Sequence, residues 1–531
     1  MKKYFYKNPF LVVKFLIVNI IGAISVLSLA FVLEKIIDSI SNVNSEEFVM
    51  SVVFLLVYIV FDSVMEYYVE VSNQKLIQKI LHDIRSDLTD YNGRKSLLSI
   101  YRSNPEAHIS TYTNELEILE KQYLEQIISI TNDILVFIFA SVISLFLQPS
   151  YTLVMVLLSL IPLVYPWLTK NSLQDTRVLT VKSKEDYFNS LSDFYFGLKT
   201  VKLFSATSAF MELLKSKSKS VKDSNIAYSR KANSVEAVSY AITMFVNQGA
   251  WVVGGFFVLK GKISLGEFIA LRQLVMYITY PITNMKHSYT DILSSQQLVS
   301  ELIKTINQAS INGSTINSGK INTIELINFS IINENKTILK NIDLKFEVGK
   351  KYLIIGKSGS GKSSLLNALI GLIPDGFNTT GNILVDGQDF TGKELDYSSV
   401  AYVEQKTFIF DKPAIDNLTM YKDYDSSLVY EVLKKVSLES INLEGTIKNN
   451  LSGGQERRLD FARALLANKE ILLLDEVTSS LDKENRLRIE ELVSTLQNKM
   501  IICIAHEPSN NFISMFDEVL TIDEGMLKGT F

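Results

Sequence analysis

A glycine-rich run in the second half of the chain has the composition of a phosphate-binding loop. Residues 356–363 read GKSGSGKS, which fits GxxxxGK[ST], and they lie between the apolar run YLII and the helical pattern SSLLNALI. Glycines let backbone amides curl around phosphate oxygens at a helix N-terminus, whose dipole favours an anion. Lys362 is expected to supply charge to the β- and γ-phosphates, and Ser363 a hydroxyl to Mg²⁺. The residues predicted here to bind ATP are Gly356, Ser358, Gly359, Gly361, Lys362, Ser363 and Ser364.

Two carboxylates close an apolar run farther along the chain. Residues 471–476 read ILLLDE, the pattern of a buried strand that ends in acidic side chains. Asp475 is expected to hold the Mg²⁺ shell, and Glu476 to orient or deprotonate the attacking water. Acidic residues often close strands, so this pattern becomes significant only because it follows the glycine-rich run.

At this point the sequence resembles the ATP-binding cassette family, and a further motif makes the resemblance specific. Residues 451–455 read LSGGQ, which matches the signature motif of that family and runs into the helical pattern ERRLDFARALL. In that family the motif binds the γ-phosphate of ATP held by the opposite cassette, so that two cassettes enclose two nucleotides. A hydroxyl and glycine amides at a helix N-terminus suit this contact. The residues implied for it are Ser452, Gly453, Gly454 and Gln455.

Three more positions match functional residues of the same family. Gln405, within AYVEQKTFIF, matches the Q-loop glutamine, which touches Mg²⁺ or water beside ATP and senses the membrane domain. His506, within IICIAHEP, matches the switch histidine that contacts the γ-phosphate, and it is predicted to be catalytic together with Glu476. Asp482, within SSLD, matches the D-loop that faces ATP across the dimer. Because Lys362 is also present, both sites of a homodimer are expected to hydrolyse ATP.

Two stretches depart from the family pattern. The family often carries an aromatic residue that stacks on adenine, and here Ile332 and Asn333 stand at that place. The segment before the signature, EGTIKNN, is short and differs from the glycine- and glutamate-containing pattern of exporters. The phosphate chemistry does not depend on either stretch, and the selectivity for adenine stays open.

Length and composition indicate two regions of different character. The chain has 531 residues, a net charge of −4, 21% charged residues and a mean hydropathy of +0.17. Because a single core rarely grows beyond ~250–300 residues, several domains are expected. The small net charge does not indicate nucleic-acid binding. The single cysteine, Cys503, cannot form an intrachain disulfide and is expected in a buried strand.

Six membrane-spanning helices are predicted in the first half of the chain, because about 20 apolar residues are needed to cross a bilayer. The predicted spans are residues 15–33, a run from residue 48 to Asp62, two helices within 134–169 that meet at Gln148-Pro149-Ser150, residues 237–259, and a run after GKISLGE that reaches Pro281 and is interrupted by Arg272. A buried helix of a soluble protein could mimic one such run, but not five or six.

The loops predict a cytoplasmic N-terminus, because Lys2, Lys3 and Lys7 flank the first span. The connections on the same side, near residues 70–125 and 170–235, are long and rich in helix formers, whereas the outer connections are short. Neither a signal peptide nor a leader-cutting domain is expected ahead of the first span. The leader of any peptide cargo is therefore expected to be cut elsewhere.

The predicted fold class is an α-helical membrane domain, with six transmembrane helices and long intracellular extensions, followed by an α/β P-loop ATPase cassette. The polar stretch INGSTINSGKIN predicts a linker. The expected limits are 1–308 for the transmembrane domain, 309–320 for the linker and 321–531 for the nucleotide-binding domain. Six spans ahead of one cassette resemble the half-transporter exporters of the family. One cassette per chain implies a dimer, of which a homodimer is the simplest case and a heterodimer with another half-transporter the alternative.

Clues to the substrate are few and lie in the membrane half. Asp62, Glu66 and Glu70 lie at i, i+4 and i+8, so they share one face of the second helix. This face either projects into the cytoplasm or pairs with Arg272 or a loop lysine, or it lines a cavity for a cationic or peptidic cargo. The candidate cavity residues are Asp62, Glu66, Asp133, Asn247 and Arg272.

The expected function is ATP-driven export, by a dimer, of a peptide or other amphipathic small molecule across the cytoplasmic membrane, with ATP and Mg²⁺ as cofactors. A lipid flippase and an importer of the metal-chelate type are alternatives that use the same fold. A gated channel or a sensor would be expected to lack a hydrolytic residue, and a soluble ATPase is excluded by the six spans. The expected partners are membrane lipid and a small-molecule, peptide or lipid cargo, without nucleic acid. The cargo and the direction of transport stay open.

Overall fold

The computed structural model describes the chain except for residues 102–104, 162–163, 308–314, 317–319, 334–335, 374–375, 396, 480, 507 and 531. The chain divides into two compact units. The first comprises Met1–Thr89 and Ser110–Asn307, and the second comprises Asp90–Ile109 and Gln308–Phe531. Most of the expected linker, residues 309–320, lies outside the described residues, and so does Ser480 of the D-loop motif. The limits of the domains therefore stay predictions.

Long helices build the first unit, because extended apolar runs satisfy their backbone groups internally in a helix. The helices before residue 308 are α1 (Lys2–Lys7), α2 (Pro9–Ser41), α3 (Ser45–Gly93), α4 (Leu97–Tyr101), α5 (Pro105–Ser110), α6 (Leu116–Ile118), α7 (Glu125–Leu147), α8 (Pro149–Ser159), α9 (Val164–Phe196), α10 (Leu198–Leu203), α11 (Thr207–Leu259) and α12 (Leu265–Asn307). Two π-helical stretches, Thr111–Glu115 and Leu119–Leu124, flank α6.

Among the described residues, four helices are long and apolar enough to cross a membrane by length and composition. They are α2, α3, the continuous stretch His108–Leu147, and α11, and they contain the first, second, third and fifth predicted spans. The fourth predicted span starts with the short helix α8 and continues past residues 162–163, which lie outside the described residues. The sixth coincides with α12, which contains a proline. These two spans stay predictions.

Helix α12 is central to the packing of the first unit, where it contacts α2, α7 and α11. Small side chains let these helices approach closely. The cluster shared by α2, α7 and α12 consists of Leu27, Ala30, Ala140, Ala270, Leu274 and Ile278. At the end of α2, the carboxylate of Asp38 accepts hydrogen bonds from the backbone amide of Gly266 (2.9 Å) and the hydroxyl of Ser264 (3.1 Å). Asp38 thereby satisfies a free amide in the first turn of α12.

The second unit is built on sheets, because short β-branched runs alternate there with helical patterns. The described strands are β1 (Thr315–Ile316), β2 (Thr323–Asn333), β3 (Lys336–Glu347), β4 (Lys351–Ile355), β5 (Asn378–Val385), β6 (Gln388–Asp389), β7 (Glu394–Leu395), β8 (Val400–Val403), β9 (Ile471–Asp475), β10 (Met500–Ile504), β11 (Glu518–Asp523) and β12 (Met526–Thr530). The main sheet has the order β12-β11-β4-β10-β9-β8 and is parallel except for β12, whereas β3-β2-β5-β6 form an antiparallel sheet and β1 pairs with β7.

Helices cover the main sheet and supply the remaining elements of the second unit. They are α13 (Lys362–Leu369), α14 (Ala414–Thr419), α15 (Ser426–Lys435), α16 (Gly453–Ala467), α17 (Lys483–Thr495) and α18 (Asn510–Ile513). Strand β10 shows how the sheet is buried on both faces: Ile502 and Ile504 pack into one apolar cluster, and Ile501 and Cys503 into the other. This alternation follows the two-residue period of a strand. Leu98 of α4 packs against the first of these clusters.

Candidate functional site

The predicted nucleotide residues follow four neighbouring parallel strands of the main sheet. The glycine-rich loop follows β4, His506 lies two residues after β10, Glu476 follows β9 directly, and Gln405 lies two residues after β8. These strands are adjacent in the order β4-β10-β9-β8, and their carboxyl ends lie at the same edge because they are parallel. Ligands of open α/β sheets bind outside this edge.

The glycine-rich loop has a backbone that only glycine can adopt without strain at two contact points. Gly356 has a φ of +152°, and a Cβ there would lie 2.1 Å from the carbonyl oxygen of Ile522. Gly361, the N-cap of α13, has a φ of +99°, and its Cβ would lie 2.8 Å from the carbonyl oxygen of Ile338. The loop is thus packed between β3 and β11. Ser358, Gly359, Ser363 and Ser364 lie along the same loop and the first turn of α13.

The side chain of Lys362 is buried within this loop. Its amine donates hydrogen bonds to the carbonyl oxygens of Gly356 and Lys357, both at 2.8 Å. Burial lowers the pKa of Lys362, while the carboxylates of Glu476 and Asp475 act in the opposite direction. The cation is therefore held at the loop in a place where it attracts a polyanion.

Asp475 ends the buried strand β9 and is itself only 3% exposed. Burial raises the pKa of its carboxyl, and a hydrogen bond from the hydroxyl of Ser363 acts in the opposite direction. Its Oδ1 atom is buried and has no hydrogen-bond partner among the described residues. A serine hydroxyl beside a carboxylate with a free oxygen is a donor set that suits Mg²⁺.

Glu476 is held by three contacts, two of which the sequence does not reveal. The side-chain amide of Gln405 donates to Oε2 of Glu476 at 3.0 Å, and the backbone amide of Glu476 donates to the carbonyl of Ile504 at 3.0 Å. Arg457 donates to the carbonyl oxygens of Glu476 (3.1 Å) and Asp475 (3.4 Å). Glu476 has a φ of +52°, so these contacts hold it in a backbone conformation that is costly for a residue with a Cβ.

Two residues at the candidate site were not singled out from the sequence. Arg457 lies in α16, and nothing in its neighbourhood ERR distinguishes it from a surface charge. Ser360 occupies a variable position of the loop motif, and its buried hydroxyl has no hydrogen-bond partner among the described residues. A loop hydroxyl at this place is available to a phosphate oxygen.

The signature residues begin helix α16. Ser452 is its N-cap and forms a capping box with Gln455, whose backbone amide donates to the Ser452 hydroxyl at 3.3 Å. The side-chain oxygen of Gln455 accepts from the amide of Ser452 at 2.8 Å. Gly453 and Gly454 are the first residues of the helix. The side chain of Gln455 therefore orders the helix start, and the exposed Ser452 and glycine amides form a surface that can hold an anion.

Asp482 caps a helix, whereas His506 is exposed. Asp482 is the N-cap of α17, and its carboxylate accepts from the side-chain amide of Asn485 at 2.6 Å. These hydrogen bonds lower the pKa of Asp482. His506 lies exposed in the turn after β10.

The β2–β3 hairpin, where the family's adenine-stacking residue was expected, packs near the loop through Ile338. Ile332 and Asn333 end β2 and are half-buried, and residues 334–335 between the strands lie outside the described residues. No aromatic ring is found among the described residues 330–340. The selectivity for adenine stays open.

The candidate cavity residues of the membrane half occur in separate contacts. Asp62 accepts from the hydroxyl of Ser25 at 2.7 Å, which joins α3 to α2. The buried Asp133 accepts from the side-chain amide of Asn284 at 2.7 Å, which joins α7 to α12. Glu66 is exposed.

The remaining two candidates lie between α11 and α12. Asn247 accepts from the hydroxyl of Thr279 at 3.4 Å. Arg272 lies beside Trp251, and its Nε and Nη1 atoms are buried without a hydrogen-bond partner among the described residues. Of the alternatives for the acidic face of the second helix, pairing with Arg272 is not found among the described residues, where Asp62 accepts from a hydroxyl instead.

Comparison with protein families identifies both halves of the chain. Residues 12–282 match the family described as ABC transporter transmembrane region, and residues 339–479 match the family described as ABC transporter. The transmembrane family alone covers half of the chain.

Three relatives differ in how much of each protein is matched. The lactococcin-G-processing and transport ATP-binding protein LagD of Lactococcus lactis is 30% identical over 63% of this chain, which spans 49% of that protein. The putative multidrug export ATP-binding/permease protein YgaD of Bacillus subtilis is 24% identical over 94% of this chain and 90% of its own length. The ATP-dependent lipid A-core flippase of Neisseria meningitidis serogroup B is 26% identical over 75% of this chain and 66% of its own length. The chain thus spans about half the length of LagD but nearly all of YgaD.

A solved structure supports the fold over almost the whole chain. The structure of a bacterial Atm1-family ABC exporter with ATP bound superposes with a TM-score of 0.74 and covers 98% of this chain and 95% of the other, at 18% identity. Because the sequence identity is this low, the match supports the fold and not the function.

Proposed function

The chain belongs to the ABC transporter family, and from that premise we propose that it is an export ATPase that moves an amphipathic molecule across the cytoplasmic membrane. Two features of the chain support the proposal: a multi-pass membrane region and a nucleotide-binding domain in one polypeptide. The observation that supports it best is the hydrogen bond from Gln405 to Glu476, because it fixes the expected general base beside the loop that would hold the phosphates.

In the proposed reaction, water attacks the γ-phosphorus of ATP, the bond to the β-γ bridging oxygen breaks, and ADP and phosphate leave. Glu476 accepts the proton of the attacking water, and the Gln405 amide keeps its carboxylate in position. Lys362 and the loop amides offset the charge of the phosphates. His506, which follows the neighbouring strand β10, is proposed to contact the γ-phosphate.

The donor set at the end of β9 fits a divalent cation. Ser363 and the unpartnered Oδ1 of Asp475 would hold Mg²⁺, and Gln405 is a further proposed ligand. Mg²⁺, when bound, would neutralise charge on the phosphate oxygens. Asp475 itself would remain unprotonated beside it, because a cation reverses the effect of burial on a carboxyl pKa.

We further propose that the working unit is a dimer. One chain carries one P-loop and one signature helix, and the anion-binding surface at Ser452, Gly453 and Gly454 is proposed to face the nucleotide of a partner chain, with Asp482 beside it. A homodimer is the simpler arrangement, and a heterodimer with another half-transporter is the alternative.

The orientation and the class of cargo are also proposals. The basic N-terminal residues favour a cytoplasmic N-terminus, and with it a cytoplasmic ATPase. The relatives are named for processing and transport of lactococcin G, for multidrug export and for lipid A-core flipping. By analogy with these relatives, a peptide or another small amphipath is the first candidate cargo and a lipid the second.

The test is ATPase activity in proteoliposomes, comparing wild type with Glu476→Gln in the presence of peptides, drugs or lipids. Because the variant cannot accept the proton of water, we expect turnover to fall by at least ~10²-fold while ATP binding is kept. Stimulation by one class of amphipath would identify the cargo. Full activity of Glu476→Gln would refute the assignment of the base, and a wild type that is inactive in every lipid would refute the homodimer.

A further inference from the structure

Two donor atoms of the Arg272 guanidinium lack a hydrogen-bond acceptor among the described residues. Arg272 is half-buried in α12, and its Nε and Nη1 atoms are buried without a hydrogen-bond acceptor among the described residues. Arginine keeps its proton in proteins, so it cannot avoid the cost by becoming neutral. Burying donor atoms of a charged group without an acceptor is unfavourable. The site therefore favours any state in which an acceptor is supplied.

The surroundings of Arg272 supply rings and aliphatic groups. Its guanidinium carbon lies 5.8 Å from the centroid of the Trp251 ring, and that ring packs edge-on against Phe268 at 5.3 Å. Tyr151 is fully buried nearby, and its hydroxyl already donates to the carbonyl of Ala250 at 3.3 Å. The nearest acidic residue before it on α12, Glu267, is engaged at the helix start, where it accepts from the amide of Ser264 at 2.7 Å.

Two carboxylates of the membrane helices already have a hydrogen-bond donor. Asp62 and Asp133 each accept a hydrogen bond from a neighbouring helix, at 2.7 Å in both cases. Among these three charged side chains, the one with unpaired donor atoms is thus a cation. The chemistry that it would recognise is that of an anion, which differs from the cationic cargo considered from the sequence.

We propose that Arg272 binds the oxyanion, a phosphate or a carboxylate, of an amphipathic molecule, with Trp251 on the face of the guanidinium. A ring on that face leaves the in-plane N–H groups free, and these match two oxygens of one oxyanion. The inference rests on the proposed export function, and it names the charge of the ligand for that function.

The position along the helices agrees with an amphipathic ligand. Arg272 lies about two turns, or ~10 Å, after the start of α12, and Trp251 lies at a similar distance before the end of α11. If these helix ends mark the membrane surface, the polar group of an amphipath would lie at this level. The apolar part of the ligand has exposed side chains to follow, because Val252 and Phe256 of α11 are 75% and 55% exposed.

Ligand binding would be coupled to a movement of helices. Because Nε and Nη1 are shielded in the described conformation, an oxyanion reaches them only when the helices around Arg272 separate. A ligand that pairs with Arg272 in the separated state shifts the population towards that state. Binding of the anion thereby becomes part of the conformational cycle.

The test uses the intrinsic fluorescence of Trp251. The chain has two tryptophans, so Trp167→Phe leaves Trp251 as the only reporter. The variant in dodecyl maltoside is titrated with dodecyl phosphate, dodecanoate and, as a cationic control, dodecyltrimethylammonium. We expect a saturable change of emission with both anions and none with the cation. Adding Arg272→Gln should weaken the apparent affinity for the anions by at least ~10-fold.

Two results would overturn the inference. One is an unchanged affinity for dodecyl phosphate in Arg272→Gln, and the other is an equal response to the cation. If the glutamine variant fails to fold, Arg272→Lys is tested in its place. Lysine is a point charge without the planar fork of arginine, so this variant should bind dodecyl phosphate a few-fold more weakly. Unchanged affinity in the lysine variant would then count against the proposal.

Two comparisons distinguish a lipid from a cargo as the source of the oxyanion. For a lipid, the Trp251 emission in proteoliposomes should differ between phosphatidylglycerol and phosphate-free digalactosyl diacylglycerol. For a cargo, dodecanoyl-glycine should stimulate the ATPase more than its amide does. Arg272→Gln should remove whichever difference is found, and the absence of both differences would refute the proposal. Fluorescence needs no ATP turnover, so this failure is distinct from a failure of the export function.

Discussion

Replacing Arg457 by methionine should slow ATP hydrolysis, although this residue is not expected to touch the nucleotide. Arg457 donates to the carbonyl oxygens of Glu476 at 3.1 Å and of Asp475 at 3.4 Å. A hydrogen bond from a charged donor contributes roughly 1.5–3 kcal/mol, and since the second bond is long, about 2 kcal/mol is a fair total. The left-handed backbone of Glu476 costs about 1–2 kcal/mol, so the loss of Arg457 is large enough to release it.

A release of about 2 kcal/mol corresponds to roughly a 30-fold loss of turnover if it is expressed in the transition state. The assay is steady-state ATPase activity in proteoliposomes, with binding of a fluorescent ATP analogue and the melting temperature measured in parallel. Arg457→Lys should lose less than Arg457→Met, and Lys434→Met, which removes an exposed charge of α15, serves as the matched control. Binding of the analogue should stay within about three-fold of wild type, because the phosphate loop is untouched.

Two outcomes would refute this reasoning. Turnover of Arg457→Met within about two-fold of wild type, at an unchanged melting temperature, would mean that Arg457 does not hold Glu476. A loss of turnover that merely follows the fraction of folded protein would mean that Arg457 stabilises the fold without positioning the base.

Further predictions concern the loop and a buried carboxyl. Gly361→Ala should weaken ATP binding by at least ~10-fold and lower the melting temperature, because its Cβ would lie 2.8 Å from a carbonyl of β3. Gly349 has a φ of +90° but open space around it, so Gly349→Ala measures the effect of backbone strain alone. An equal decrease of the melting temperature in both variants would contradict the steric explanation for Gly361. Asp460→Asn should raise the melting temperature at pH 7. Burial raises the pKa of Asp460 although Arg463, 3.2 Å away, acts in the opposite direction, so the charged form destabilises the fold above that pKa. This gain should fade as the pH falls towards the unfolded value of about 3.9, and a constant gain, or an equal one in the exposed control Asp423→Asn, would speak against burial as the cause.

The grouping of the nucleotide residues at one edge of the main sheet was predictable from the sequence, because each motif adjoins a strongly apolar strand. Once β4 and β9 are parallel and share β10 as a neighbour, the residues after them must meet at one edge. The contacts made by Arg457 were not predictable in this way. Arg457 is joined to Glu476 by the position of α16 against the sheet, which residue type and spacing do not encode.

The membrane half was less accessible to prediction for a physical reason. Hydropathy identifies apolar runs, but the rotation of each helix about its axis decides which polar group meets which. The pairing of Asp62 with Ser25, and that of Asp133 with Asn284, depends on such rotations. Arg272 interrupted an apolar run in the sequence, yet only the arrangement of the helices shows that its Nε and Nη1 atoms lack an acceptor among the described residues.

The burial of Cys503 has a practical consequence for experiments that follow motion. It is the only cysteine in the chain, is 1% exposed, and lies in the central strand β10. Burial raises the pKa of its thiol, so the reactive thiolate is scarce at neutral pH. The natural sequence is therefore an unmodified background for maleimide dyes and spin labels. Cysteines introduced at exposed positions can be labelled selectively, and the unsubstituted protein serves as the labelling blank.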